Sequence, residues 1–137
     1  MIGIVIVTHG ELGDALIGAA EFILDSRPES IESISIDINE NAEKLRQKID
    51  QGIKKVMESQ GVIILTDMFG GTPSNLSYSF LEEGRIEVLS GVNLPILIQA
   101  VNMRKKMKLD KLAGNLEAFG KRSISLASGI LKGNKRS

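Results

Sequence analysis

Cysteine is absent from this 137-residue chain, which removes disulfides, thiolate zinc sites, cysteine-ligated iron–sulfur clusters and cysteine nucleophiles from consideration. An excess of either charge is absent too, because seventeen lysines and arginines are matched by seventeen acidic residues. Without a global field, binding to nucleic acid or to an anionic membrane surface is not expected, and recognition must be local. No stretch approaches the roughly 20 apolar residues needed to cross a bilayer. The apolar run Ile4–Val7 has no basic region before it and no small-residue cleavage site after it. These absences predict a soluble, cytoplasmic protein. There is also no internal repeat and no low-complexity linker, and the length suits one domain with its own core. That domain is expected to occupy residues 1–130, followed by a polar, frayed tail over 131–137.

What is present is an alternation of strand and helix patterns. Ile2–Val7 is, apart from Gly3, a β-branched run suited to a strand buried on both faces, and Leu12, Ala15, Leu16, Ala19, Ala20 and Ile23 follow at helical spacing. Ser33–Ile38 alternates with period two, as a more exposed strand does. Ala42, Leu45, Ile49, Ile53 and Val56 then mark a second helix, with Asn39 or Asn41 as its cap. Gly61–Asp67 reads as another buried strand. Thr72-Pro73 supplies a cap and an N1 proline for a helix to about Glu83. Ile86–Leu89 makes a fourth strand, Pro95 opens a helix to about Met107, and a last helix covers about Leu109–Phe119. Ser123–Ala127 is the candidate for a final short strand. The basic run Arg104-Lys105-Lys106 reads as a solvated helix end that complements the helix dipole.

This pattern predicts a doubly wound α/β fold with a mostly parallel sheet and right-handed crossovers. The first and third strands are the most hydrophobic and belong in the centre, with the second at an edge, which strand order 2-1-3-4 satisfies. In that order the winding reverses between the first and third strands, and ligands of such sheets bind at the carboxyl ends of strands at the reversal. His9 and Asp67 end those two strands.

Histidine is as scarce as it can be without being absent: His9 is the only one. With an ordinary pKa of about 6.5, an imidazole is substantially neutral and nucleophilic near pH 7. Opposite it, Asp67-Met68-Phe69-Gly70-Gly71-Thr72-Pro73 carries paired glycines into a helix start, where backbone amides bear partial positive charge and favour a phosphate. Gly10 and Gly13 repeat the device more loosely around the first helix. Asp67 is expected to accept a hydrogen bond from Nδ1–H, fix the tautomer and stabilise the charge that develops as Nε2 attacks phosphorus. His9 and Asp67 are therefore the candidate catalytic pair, with Gly10, Phe69, Gly70, Gly71 and Thr72 as the phosphate-side residues. No metal and no cofactor is required. Each feature also has a plainer explanation. A lone histidine is often structural, an aspartate in the place of Asp67 can serve only as a loop cap, paired glycines commonly just turn a chain, and the alternative for Phe69 is a packing role.

Val7-Thr8-His9-Gly10, Asp67–Asn75 and Ser90-Gly91-Val92-Asn93-Leu94-Pro95 occur in an order that resembles the IIA component of mannose-type sugar phosphotransferase systems, over residues 1–120. The resemblance implies a cytoplasmic phosphocarrier, usually a homodimer, that takes a phosphoryl group from the carrier HPr on His9. It then passes the group to a IIB component, which serves the membrane IIC and IID components. Asp67 matches the family's histidine-orienting aspartate, and Phe69 to Thr72 its phosphate loop. The family's final antiparallel strand, exchangeable between subunits, would be Ser123–Ala127, and with no IIB domain in the chain the acceptor would be a separate protein. Three other functions fit parts of the pattern. A regulatory phospho-acceptor uncoupled from transport would use the same chemistry. A ligand-binding domain would not need His9. A histidine phosphatase needs a second histidine and an arginine where Thr8 stands.

Overall fold

A computed structural model describes residues 1–132; the tail beyond Lys132 lies outside the described residues. The elements are β1 (Gly3–His9), α1 (Leu12–Leu24), β2 (Ile31–Ile36), α2 (Ala42–Val56), β3 (Val62–Thr66), α3 (Thr72–Tyr78), β4 (Ile86–Ser90), α4 (Leu94–Met103), α5 (Leu109–Arg122) and α6 (Ala127–Leu131). The four strands form one parallel sheet in the order β2-β1-β3-β4, the expected order.

The sheet divides the core into two layers because successive side chains of a strand point to opposite faces. Ile4, Ile6, Ile63 and Leu65 pack with Ile17, Leu97, Leu112 and Leu116 from α1, α4 and α5. Val5, Val7, Val62 and Ile64 pack with Leu45, Ile49 and Ile53 from α2. Both central strands are thus buried on both faces, which is why their sequences are apolar without alternation. β2 lies at one edge of the sheet and β4 at the other.

Several boundaries differ from the sequence expectation, for identifiable reasons. β2 runs two residues earlier than Ser33–Ile38, since it pairs with β1 from Ile4 opposite Ile31 to His9 opposite Ile36. Asn41, not Asn39, caps α2, its Oδ1 accepting the Lys44 amide at 2.8 Å. At α3 the N-cap is Gly71 and Thr72 is the first helical residue. That helix stops at Tyr78 rather than about Glu83. Ser77 and Ser79 donate their hydroxyls to the carbonyls of Pro73 and Leu76, and reciprocal Glu82–Ile86 backbone bonds then start β4. α5 extends to Arg122, three residues beyond Phe119.

Two sequence readings fail outright. Arg104 is not a solvated helix end: it is 3% exposed. Its guanidinium donates to the carbonyls of Glu29 and Ser30, tying the end of α4 to the connection before β2. A charge survives there because backbone acceptors replace its water. Ser123–Ala127 is not a strand of the sheet in this chain. Residues 123–126 follow α5 without strand pairing, and Ala127 opens α6. Ile124 and Leu126 are 81% and 76% exposed, so the alternation that suggested a strand has no partner within the described part of the chain.

Candidate functional site

β1 and β3 are adjacent and parallel, so their carboxyl ends bring His9 and Asp67 together although 58 positions separate them. The Asp67 carboxylate closes the gap. Its Oδ2 lies 2.8 Å from His9 Nδ1 and accepts the His9 backbone amide at 2.9 Å, while Oδ1 accepts the Met68 amide at 2.9 Å. A carboxylate oxygen can only accept, so Nδ1 carries the proton and the lone pair of a neutral ring is on Nε2. The imidazole is partly open to solvent and the carboxylate largely covered. Burial pushes the Asp67 pKa up, but hydrogen bonds from the His9 amide and ring, the charge of His9 and the Met68 amide outweigh it. The net result is a carboxyl held below its ordinary range, and so ionised at neutral pH.

The glycine turn meets the other side of the ring. A Cβ on Gly71 would stand 2.9 Å from His9 Cε1 and 3.4 Å from Nε2, so only a residue without a side chain lets the turn lie this close. Gly70 has φ +87°, a left-handed conformation that a side chain would strain. Its amide is already engaged: it donates to Ser74 Oγ at 3.0 Å, and that hydroxyl donates to the Gly71 carbonyl at 3.0 Å. Gly71 caps α3 without a side chain, and buried Ser74 reaches back to do the fastening. Thr72 follows on the exposed side. The amides of Gly71, the N-cap, and of Thr72, the first helical residue, have no intrahelical acceptor.

On the β1 side, Gly10 has φ +54° and gives its amide to the Ile36 carbonyl at 3.2 Å, so its part is to turn the chain. Thr8, fully buried, accepts the Gly13 amide on Oγ1 at 2.9 Å and so fixes the entry to α1. Phe69 is 78% exposed, with its ring against Tyr78. The Ser90–Pro95 connection joins the site through β3: the Gly91 and Val92 amides both donate to the Thr66 carbonyl at 2.9 Å, and Asn93 caps α4. Sequence reasoning assigns no structural part to Thr8, Ser74 or Tyr78, although Thr8 and Ser74 lie within the motifs. Ser74, three residues after a glycine cap, is the one with a local signal, since a hydroxyl there can reach back to a helix start.

A cavity of about 680 Å³ lies between α2 and the α3–β4 connection, lined by Asp50, Lys54, Phe80 and Arg85 but by neither His9 nor Asp67. Among the described residues no group of three metal-ligating side chains converges, and no helix is long and apolar enough to cross a membrane.

A parallel sheet with a carboxylate-bonded histidine at its switch point, against a glycine turn that opens a helix, defines a doubly wound α/β domain whose candidate site lies at the carboxyl ends of β1 and β3. The family model for the PTS system fructose IIA component matches residues 3–117, and the chain belongs to that mannose-type IIA family. It is 33% identical over 129 residues to the fructose-specific EIIA component of Bacillus subtilis, covering 93% of this chain and 88% of that one. To the mannose-specific EIIAB component of Escherichia coli K12 it is 36% identical over 104 residues, 75% of this chain and 32% of that longer protein. A phosphotransferase system EIIA component from Streptococcus agalactiae superposes with a TM-score of 0.83 at 28% identity, covering 93% of this chain and 98% of that one.

Proposed function

We propose that this IIA component accepts a phosphoryl group from HPr on His9 Nε2 and passes it to a IIB component. The donor's nitrogen–phosphorus bond breaks as the Nε2–phosphorus bond forms, and the electron pair returns to the donor imidazole. The Nδ1 proton stays in place, bonded to Asp67, whose charge offsets the cationic character that the ring gains. Gly71 and Thr72, with amides not used within α3, are the candidates for holding the phosphoryl oxygens, and the Thr72 hydroxyl lies beside them. Gly10, Phe69 and Gly70 serve this loop pair through its shape and surface. Transfer to IIB reverses the same geometry, so no further group on this chain is needed.

The observation that carries the reading is the bond from His9 Nδ1 to an ionised Asp67, which leaves Nε2 as the nucleophile. The open setting also suits transient protein partners better than a small substrate, with Phe69 and Met68 exposed beside the histidine. The assembly proposed is a cytoplasmic homodimer working with HPr, a separate IIB chain and, through it, the membrane IIC and IID components. The exposed apolar side chains of Ile124, Leu126 and Leu131 support contact between copies. The test is to incubate the protein with phosphoenolpyruvate, the general phosphotransferase enzyme and HPr, and to look for acid-labile label. Label on the wild type and none on His9→Ala is expected. An unlabelled wild type with a cognate HPr, or a labelled His9→Ala, overturns the proposal.

A further inference from the structure

Three hydroxyls from three elements meet behind the site. Thr66, the last residue of β3, donates from Oγ1 to Ser90 Oγ at 2.8 Å, and Ser90, the last residue of β4, shares a 2.9 Å hydrogen bond with the hydroxyl of Tyr78, the last residue of α3. The tyrosine ring packs against Phe69, with centroids 6.1 Å apart and planes tilted by 46°. These contacts close a circuit. Thr66 leads along the chain to Asp67 and Phe69, Phe69 rests on Tyr78, and Tyr78 returns through Ser90 to Thr66. The turn enclosed by this circuit is the one that presents Asp67 Oδ2 to His9 Nδ1 and Gly71 to the ring edge.

We infer that Tyr78 is a positioning residue for phosphotransfer, whose ring and hydroxyl hold the 67–71 turn in its working shape. The inference rests on the phosphocarrier reading above. Its physical basis is the flexibility of a turn containing Gly70-Gly71, since glycine has the most backbone freedom to lose on ordering. Ser74 fastens the helix end of the turn, and the strand end is fastened by Asp67 itself. Between them, Phe69 projects into solvent with the Tyr78 ring as its packing partner. If that support is lost, the turn spends less time in the competent geometry and the rate falls with the competent fraction. A tyrosine that merely stabilised α3 would lower the melting temperature without changing the rate per folded molecule.

The test compares wild type, Tyr78→Phe, Tyr78→Leu and Ser90→Ala in single-turnover transfer from phosphorylated HPr, with melting temperature measured alongside. Tyr78→Phe keeps the ring and loses the hydroxyl bond, so a three- to ten-fold lower rate at saturating donor is expected, with the half-saturating donor concentration unchanged. Ser90→Ala should match it, and Tyr78→Leu should fall further. Amide hydrogen exchange over residues 68–71 should quicken in the same order. Wild-type rates in both Tyr78→Phe and Ser90→Ala overturn the inference. So does a change confined to the half-saturating concentration, which would make Tyr78 a donor contact, and so does an unchanged exchange rate in the turn. An unlabelled wild type or a labelled His9→Ala removes the phosphocarrier reading itself, and this inference with it, so the two failures are told apart. If Tyr78→Leu does not fold, the two single-hydroxyl variants carry the decision.

Discussion

The space beside the imidazole of His9 is closed to any side chain on Gly71, where a Cβ would lie 2.9 Å from Cε1. Gly71 has φ −88°, an ordinary value for any residue, so what requires glycine there is the ring and not the backbone. Gly70 is the converse, with open space around it and a φ of +87°. Adjacent glycines thus have separate causes.

Substitutions should separate those causes. Gly71→Ala is expected to displace the imidazole or the turn and to cut transfer to His9 at least ten-fold, with a melting temperature close to wild type. Gly70→Ala should instead cost about 1 kcal/mol of stability through left-handed strain. Thermal unfolding and single-turnover phosphorylation of both variants check this. Equal rates for Gly71→Ala and wild type would mean that the ring does not need its present position.

Asp67 makes the acid limb of stability predictable in sign. Its carboxyl is held below the unfolded value of about 3.9, so the stability it contributes is fully present above that value and is lost as pH falls through the lower folded value. The difference in melting temperature between wild type and Asp67→Asn should therefore be present at about pH 5. It should close in more acid solution. A gap that goes on widening below about pH 4 contradicts the assignment. The same variant should transfer phosphate at least ten-fold more slowly, because an amide does not carry the charge that offsets the developing imidazolium.

Ser74 fastens the turn through two bonds, to the Gly70 amide and the Gly71 carbonyl. Ser74→Ala leaves both groups to find other partners and should lower stability by about 1–2 kcal/mol while slowing transfer. Ser74→Thr retains the hydroxyl and should recover part of the rate. Denaturant unfolding and label incorporation measured on the same samples decide whether stability and rate move together.

Arg104 offers a contrast remote from the chemistry. Arg104→Met removes the donors to Glu29 and Ser30, leaves the Glu29 carbonyl without its partner while the Ser30 carbonyl keeps the Ile4 amide, and empties a buried site, so a loss of about 1–3 kcal/mol is expected. The rate of His9 phosphorylation per folded molecule should not change, because the guanidinium lies at the opposite end of the strands from His9. Lys105 and Lys106, which are exposed, should tolerate alanine with less than about 0.5 kcal/mol of change. A cost at Lys105 like that at Arg104 would remove the distinction.

Which residues are strand and which are helix was largely legible in the chain, because burial on one face or two imposes its period directly. Ile4–Val7 and Val62–Leu65 had to be central, and the sheet order followed from them. The pairing of His9 with Asp67 was legible for the same reason, since both stand at the ends of the two most apolar runs. Arg104 was not legible. A charged residue in a basic run at a helix end carries no local mark of burial, and only the approach of the Glu29 and Ser30 carbonyls makes burial affordable. The Ser123–Ala127 alternation misled because period two reports a pattern of side chains, whereas a strand also needs a neighbouring edge for its backbone.

Periodicity, residue chemistry and chain order are enough to define the doubly wound α/β order, the single histidine and its partner, and the glycine turn opposite them. It takes the folded chain to show which glycine amides are already engaged, that Ser74 does the fastening, and that Tyr78, Ser90 and Thr66 close a circuit behind Asp67. Those depend on distances between atoms far apart in the chain. Hydroxyls and amides look alike in a sequence until folding brings a particular acceptor within about 3 Å.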